Sequence, residues 1–254
     1  MNRIIRDFRA VVLIAGDTFG ELRRHRATLA VGIVAIFAVG GGGWWREFNF
    51  GTEQGRFLLD FGWGVQGLVA ASFAIVATAQ VLLRAFEQGT AAVALARPLS
   101  PATWLAGQAL GVLGWVTAYV ILSTLWLAGT LQLHGLAVPI ADLTAAATLL
   151  VLKQAVVIGV AGWFATYGRS LVFVVMAACL VVGLGQLRFL MHDDGGVSGW
   201  IVRLVPQMRL FDLASWHESG GLNGSRWVGI VAYAGGFVVV LWGMATWSLK
   251  RREF

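Results

Sequence analysis

Apolar residues run almost unbroken through most of this chain, and the polar ones gather in a few short interruptions. Long runs lie at about Thr28 to Trp44, Gly64 to Leu83, Trp104 to Leu131, within Ala141 to Tyr167, and at Leu171 to Leu187 and Val228 to Trp247. Each has the length and polarity of a helix that crosses a bilayer. The runs are continuous rather than alternating, which favours helices over a barrel. Lipid offers the backbone no hydrogen-bond partner, so a spanning segment must pair its own amides, as a helix does. The pattern predicts an all-α membrane protein, one domain over 1–254 with a six-helix bundle over 28–247. Gly40 to Gly43 closes the first run, and Trp44 and Trp45 mark its interface.

The head, Met1 to Arg26, follows a different period. Ile4, Phe8, Val11, Val12, Ala15, Phe19 and Leu22 recur at steps of mostly three or four, while Arg3, Arg6, Arg9, Arg23, Arg24 and Arg26 crowd the same segment. A basic helix with one apolar stripe belongs in the headgroup layer. Interspersed Asp7, Asp17 and Glu21 do not fit a cleavable signal peptide. An interfacial amphipathic helix over 1–26 is expected, with no soluble domain for its stripe to pack on; the alternative is a solvated helix end.

The stretch from Arg84 to Trp104 is the informative interruption. Glu87, Gln88, Gly89 and Thr90 precede a run of small apolar residues, Ala91 to Ala96 with Leu95, and Arg97, Pro98, Leu99, Ser100 and Pro101 close it. Alanine favours helix, whereas the two prolines forbid its continuation. A short helix between the second and third spans is the consequence.

Composition agrees with the pattern. Of 254 residues, 58% are hydrophobic and 13% charged, and mean hydropathy is +0.75; soluble domains carry about twice that share of charge. Twelve of the 19 Lys and Arg fall on the side of both termini if six spans are counted, and six on the other. This places both termini in the cytoplasm. Basic inner edges facing anionic lipid account for the net charge of +6, with no nucleic acid partner required. The single Cys179 excludes a disulfide within the chain.

Little in the sequence looks catalytic. A phosphate-binding loop of the form G-x-x-x-x-G-K-[ST] needs its lysine, and neither Lys153 nor Lys250 follows one. Carboxylates and histidines are missing from span interiors, which argues against an intramembrane enzyme. His192, Asp193, Asp194, His217 and Glu218 in the outer loop, 188–227, have metal-ligand chemistry but no metal-site spacing, so they read as solvated residues. Within that loop Trp200, Ile201, Leu204, Met208 and Phe211 predict a short amphipathic helix interrupted near Pro206. Lys153 falls near the middle of the fourth run, where it could attract an anionic headgroup or acidic cargo. The expectation adopted is the simpler one, that the span begins near Val151 and the amine reaches the outer headgroups. Gly107 and Gly111, four apart, offer a surface for close approach of another helix, a dimer face among other readings.

The residues Glu87, Gly89 and Thr90, followed by Leu95, Ala96, Arg97, Pro98, Leu99 and Ser100, resemble the segment joining the second and third spans of ABC-2 permeases. These are the membrane subunits of one class of ATP-binding cassette transporter. The resemblance extends to Asp60, Phe61 and Gly62, and to Phe19, Gly20, Glu21, Leu22, Arg23 and Arg24 at the end of the head. Pro101 stands where the family usually has a basic residue, and Gln108 where it commonly has lysine. The resemblance implies a prokaryotic inner-membrane permease that pairs with a second copy or a paralogue. It also implies a nucleotide-binding ATPase docked on the short helix at Glu87 to Ser100, with Mg-ATP held in that partner and no cofactor or metal in this chain. The head, with Phe8, Val12, Phe19, Leu22, Arg23 and Arg24, would couple motion, and Gln80, Gln108, Thr117 and Lys153 would line a path for an exported or flipped substrate. The alternative function is a non-transporting membrane anchor of an ATPase-driven envelope assembly complex.

Overall fold

The computed structural model describes residues 2–24, 26–40, 54–96, 99–136, 140–188, 205–218 and 223–251. Among them every regular element is helical. In chain order these are α1 (Asn2–Arg24), α2 (Arg26–Gly40), α3 (Gln54–Glu87), α4 (Thr90–Ala96), α5 (Pro101–Leu133), α6 (Ile140–Tyr167) and α7 (Leu171–Leu187). A 3-10 turn (Met208–Phe211), α8 (Leu213–Glu218) and α9 (Gly224–Lys250) follow. Four of them, α3, α5, α6 and α9, are long and apolar enough to cross a membrane. The chain is therefore a multi-pass α-helical membrane protein. The helices α2 and α7 are shorter, at 15 and 17 residues.

The centre of the bundle is α6, packed on by α3, α5, α7 and α9. Its residues Val156 to Ala161 are all buried, as a helix apolar on every side requires. A polar clasp joins α3 to α5: the amide nitrogen of buried Gln66 lies 2.9 Å from the Val120 carbonyl, 2.7 Å from Ser123 Oγ and 3.0 Å from Thr124 Oγ1. Such bonds hold helices together in a solvent as apolar as the side chains themselves. Beside the later half of α5, α2 sets Phe37 against Trp126 at 5.6 Å between ring centres.

Local chemistry explains the short helix α4. Gly89 has φ +70°, a left-handed conformation that side chains disfavour, and it ends α3 while the chain turns into α4. Ser100 then caps α5, accepting a hydrogen bond from the Thr103 amide at 3.0 Å, with Pro101 in the first turn. Residues 97 and 98 lie outside the described residues.

Two boundaries differ from expectation. The second span was expected from Gly64, with a polar loop up to Asp60, yet α3 already begins at Gln54. Leu58 has a protein partner there, packing with Val39, Leu127, Leu131 and Leu143, so the helix continues past its charged residues. The expected outer-loop helix is only partly described: Trp200, Ile201 and Leu204 lie outside the described residues, and Met208 and Phe211 form the 3-10 turn.

The apolar stripe of α1 also finds a partner in the chain itself. A Cβ added at Gly107 would lie 2.6 Å from Ile14 Cβ, and one at Gly111 would lie 2.5 Å from Thr18 Cβ, while Phe19 stands edge-on to Trp115 at 5.6 Å. Both numberings ascend together, so α1 runs alongside α5 in the same direction. The small residues of α5 thus receive α1. Ile14 and Thr18, outside the expected stripe, face the bundle together with Leu22, whereas Ile5, Phe8 (67%) and Val12 are exposed.

Candidate functional site

The segment 205–218, between α7 and α9, packs back into the bundle and brings a carboxylate to Lys153. It is held by several directed bonds. Arg188 donates to the Val205 carbonyl at 2.8 Å, the Gln207 amide donates to the Tyr233 hydroxyl at 2.7 Å, and Trp216 Nε1 donates to the Leu210 carbonyl at 2.8 Å. Met208 and Phe211 are buried among apolar residues of the core. Asp212 follows directly, and its Oδ1 lies 2.8 Å from Lys153 Nζ, while Gln186 Nε2 of α7 donates to its Oδ2 at 2.8 Å. The Lys153 side chain is 11% exposed and that of Asp212 33%.

Lys153 is thus paired within the protein, where its amine was expected to extend to the outer headgroups. The helix α6 starts at Ile140, well before Val151, and the distant Asp212 neutralises the amine in place. A lone charge at this depth would cost several kcal/mol, and a paired, hydrogen-bonded one much less. Next to it, Gln154 is 0% exposed, and neither atom of its carboxamide has a hydrogen-bond partner among the described residues.

The ion pair stands on the wall of a cleft of about 650 Å³. Asp60, Trp63, Gly67 and Ile75 of α3 line one side, Cys179 and Gln186 of α7 another, and Lys153 and Asp212 a third. Of the four polar residues expected along a path, Lys153 alone is among those lining this cleft. Gln108 lines a separate space of about 20 Å³ between α3, α5, α6 and α9, and its Oε1 receives the Thr18 hydroxyl at 2.7 Å. Thr117 donates to its own helix at the Leu113 carbonyl, 2.7 Å, and Gln80 is half-buried on α3.

A second candidate surface is the turn and helix at Glu87 to Ser100. Ala91 is buried against the cluster of Leu82, Leu83, Trp104 and Leu105, which fixes α4 to the ends of α3 and α5. Outward it presents Glu87, Thr90, Val93 (64% exposed) and Ala96, and Leu99 is half-buried beyond it. The side chain of Leu95, with Arg97 and Pro98, lies outside the described residues. In the head, Arg23 and Arg24 are exposed at the end of α1, and Glu21 approaches Arg84 to 3.9 Å.

Among the described residues no three His, Cys, Asp or Glu side chains gather as a metal site. His192, Asp193 and Asp194 lie outside the described residues, as do the side chains of His217 and Glu218. The sequence reading missed Asp212 and Gln186. A usable signal existed for the first, a carboxylate immediately after the apolar Leu210 and Phe211. No family model matches the chain, and no curated protein matches it.

Proposed function

We propose that this chain is the permease subunit of an ABC-2-type transporter in a prokaryotic inner membrane, driven by a separate nucleotide-binding ATPase that docks on α4. In this reading the bundle has six spans, with α2 and α7 completing the four long helices, and both termini are cytoplasmic. The observation that carries it is the form of α4. It is a short helix anchored through Ala91, wedged between the ends of two long helices, with Val93 and Glu87 turned outward. A push on such an element moves α3 and α5 together. The residues Glu87 to Ser100 would form the docking surface, and α1, seated on Gly107 and Gly111, would carry the same motion to the side of the bundle.

The test begins with the tagged full chain purified from its native membrane, which should bring with it a protein that hydrolyses ATP. Val93→Asp places a charge in the proposed interface, where it would have to be desolvated. The expected result is at least about a tenfold loss of co-purified ATPase, equivalent to about 1.4 kcal/mol, with membrane insertion unchanged. An ATPase that remains bound at full yield, or none bound to the unaltered chain, would overturn the proposal.

A further inference from the structure

The cleft beside Lys153 is long, and its chemistry is divided. Its volume of about 650 Å³ falls within the roughly 300–1,000 Å³ of small-molecule sites. Along α3 its lining runs from Asp60 to Ile75, which at the helical rise is about 22 Å. Leu68, Ala71, Leu150 and Val182 make much of it apolar, whereas Lys153, Asp212 and Gln186 form one polar station. An elongated apolar slot with a charged station suits a molecule with a chain and a head.

The charges narrow the choice of head. Asp212 already compensates Lys153, and with Asp60 the lining holds two carboxylates and one ammonium. A purely anionic head would gain Lys153 only by displacing Asp212, leaving that carboxylate without its cation in a slot that already holds a second one. Unpaired charge in a poorly solvated place is expensive. A head that carries both a phosphate and an ammonium can meet Lys153 with one group and Asp212 with the other. We propose that this cleft binds a zwitterionic aminophospholipid, its phosphate on Lys153, its ammonium on Asp212 and its acyl chain along the α3 wall. The proposal goes beyond the permease reading and does not depend on an ATPase.

The one cysteine of the chain supplies the readout, since Cys179 is exposed and lines the same cleft. The full chain in detergent is alkylated with a small polar maleimide after addition of phosphatidylethanolamine or phosphatidylglycerol. Phosphatidylethanolamine is expected to slow the reaction at least fivefold, and phosphatidylglycerol to have little effect. Asp212→Asn leaves Lys153 uncompensated, so it should reverse the order, with phosphatidylglycerol now protecting better. Gly64→Phe is a second variant, in a position lining the cleft where an added Cβ has nothing within 4 Å. It should fold normally and lose protection by both lipids. Equal protection by the two lipids, protection by phosphatidylglycerol alone in the unaltered chain, or no protection would overturn the proposal. So would slowing that follows protein concentration without lipid, which would mean that a second copy covers the cleft. None of these results touches the docking test at α4.

Discussion

Two neighbouring residues of α6 show how differently polar groups can be buried. Lys153 has a carboxylate at 2.8 Å, and that carboxylate has a second donor in Gln186. Gln154, fully enclosed, has no partner for either end of its carboxamide among the described residues. A satisfied pair is close to neutral in stability, whereas an unsatisfied buried amide costs about 1–3 kcal/mol. Replacing Gln154 by methionine keeps an unbranched side chain of similar size and removes the penalty. The expected outcome is a gain of about 1–2 kcal/mol, read as a rise of about 2–8 °C in the melting temperature of the purified chain. A lower melting temperature would mean that Gln154 has a partner after all, and that its burial is productive.

At the level of elements, the seam between α1 and α5 depends on the absence of side chains. A Cβ at Gly111 would lie 2.8 Å from the Ala15 carbonyl oxygen as well as 2.5 Å from Thr18 Cβ. Backbone cannot swing aside as the end of a flexible side chain can. Gly111→Val should therefore cost about 1–3 kcal/mol, in the range of overpacked cores, and should expose the Arg23 and Arg24 peptide bonds to trypsin earlier than in the unaltered chain. Unchanged cleavage would show that α1 is not held by this seam. The same seam marks where sequence reading stopped. The stripe of α1 and the small residues of α5 were each legible, as was α4, because Gly89, Ser100 and the prolines act through neighbours in the chain. Their pairing was not, since Thr18 and Gln108 are 90 positions apart and lipid is as apolar as a partner helix. Hydrophobic period shows that a face avoids water without showing what covers it. The pairing of Lys153 with Asp212, 59 positions apart, was missed for a related reason: the apolar Leu210 and Phe211 before the carboxylate hint at burial without showing which helix the loop folds onto.

The whole molecule turns on how α7 is completed. The helices α3 and α5 have 34 and 33 residues, about 50 Å each against a hydrocarbon core of about 30 Å, so they extend well beyond it. For α3 most of the excess over the expected span lies at its Gln54 end, away from α4. By contrast α7 has 17 residues, and its Gln186 meets Asp212 beside Lys153, the midpoint of α6. The last helix, α9, starts beside the segment 205–211, where Tyr233 meets Gln207, and ends at the α4 side, where Ala245 and Leu249 pack with Leu83, Ala91 and Leu105. Single cysteines in a Cys179→Ser background test that direction, at the exposed positions Val93, Leu133, Arg169 and Ser225. In right-side-out vesicles an impermeant maleimide should label Leu133→Cys and Ser225→Cys at once, and Val93→Cys and Arg169→Cys only after permeabilisation. That pattern makes α7 a crossing and places α4 on the cytoplasmic side, where an ATPase can reach it. If Ser225→Cys instead joins the protected pair, α9 cannot end beside Ala91 as Ala245 and Leu249 do here, and the six-span reading falls.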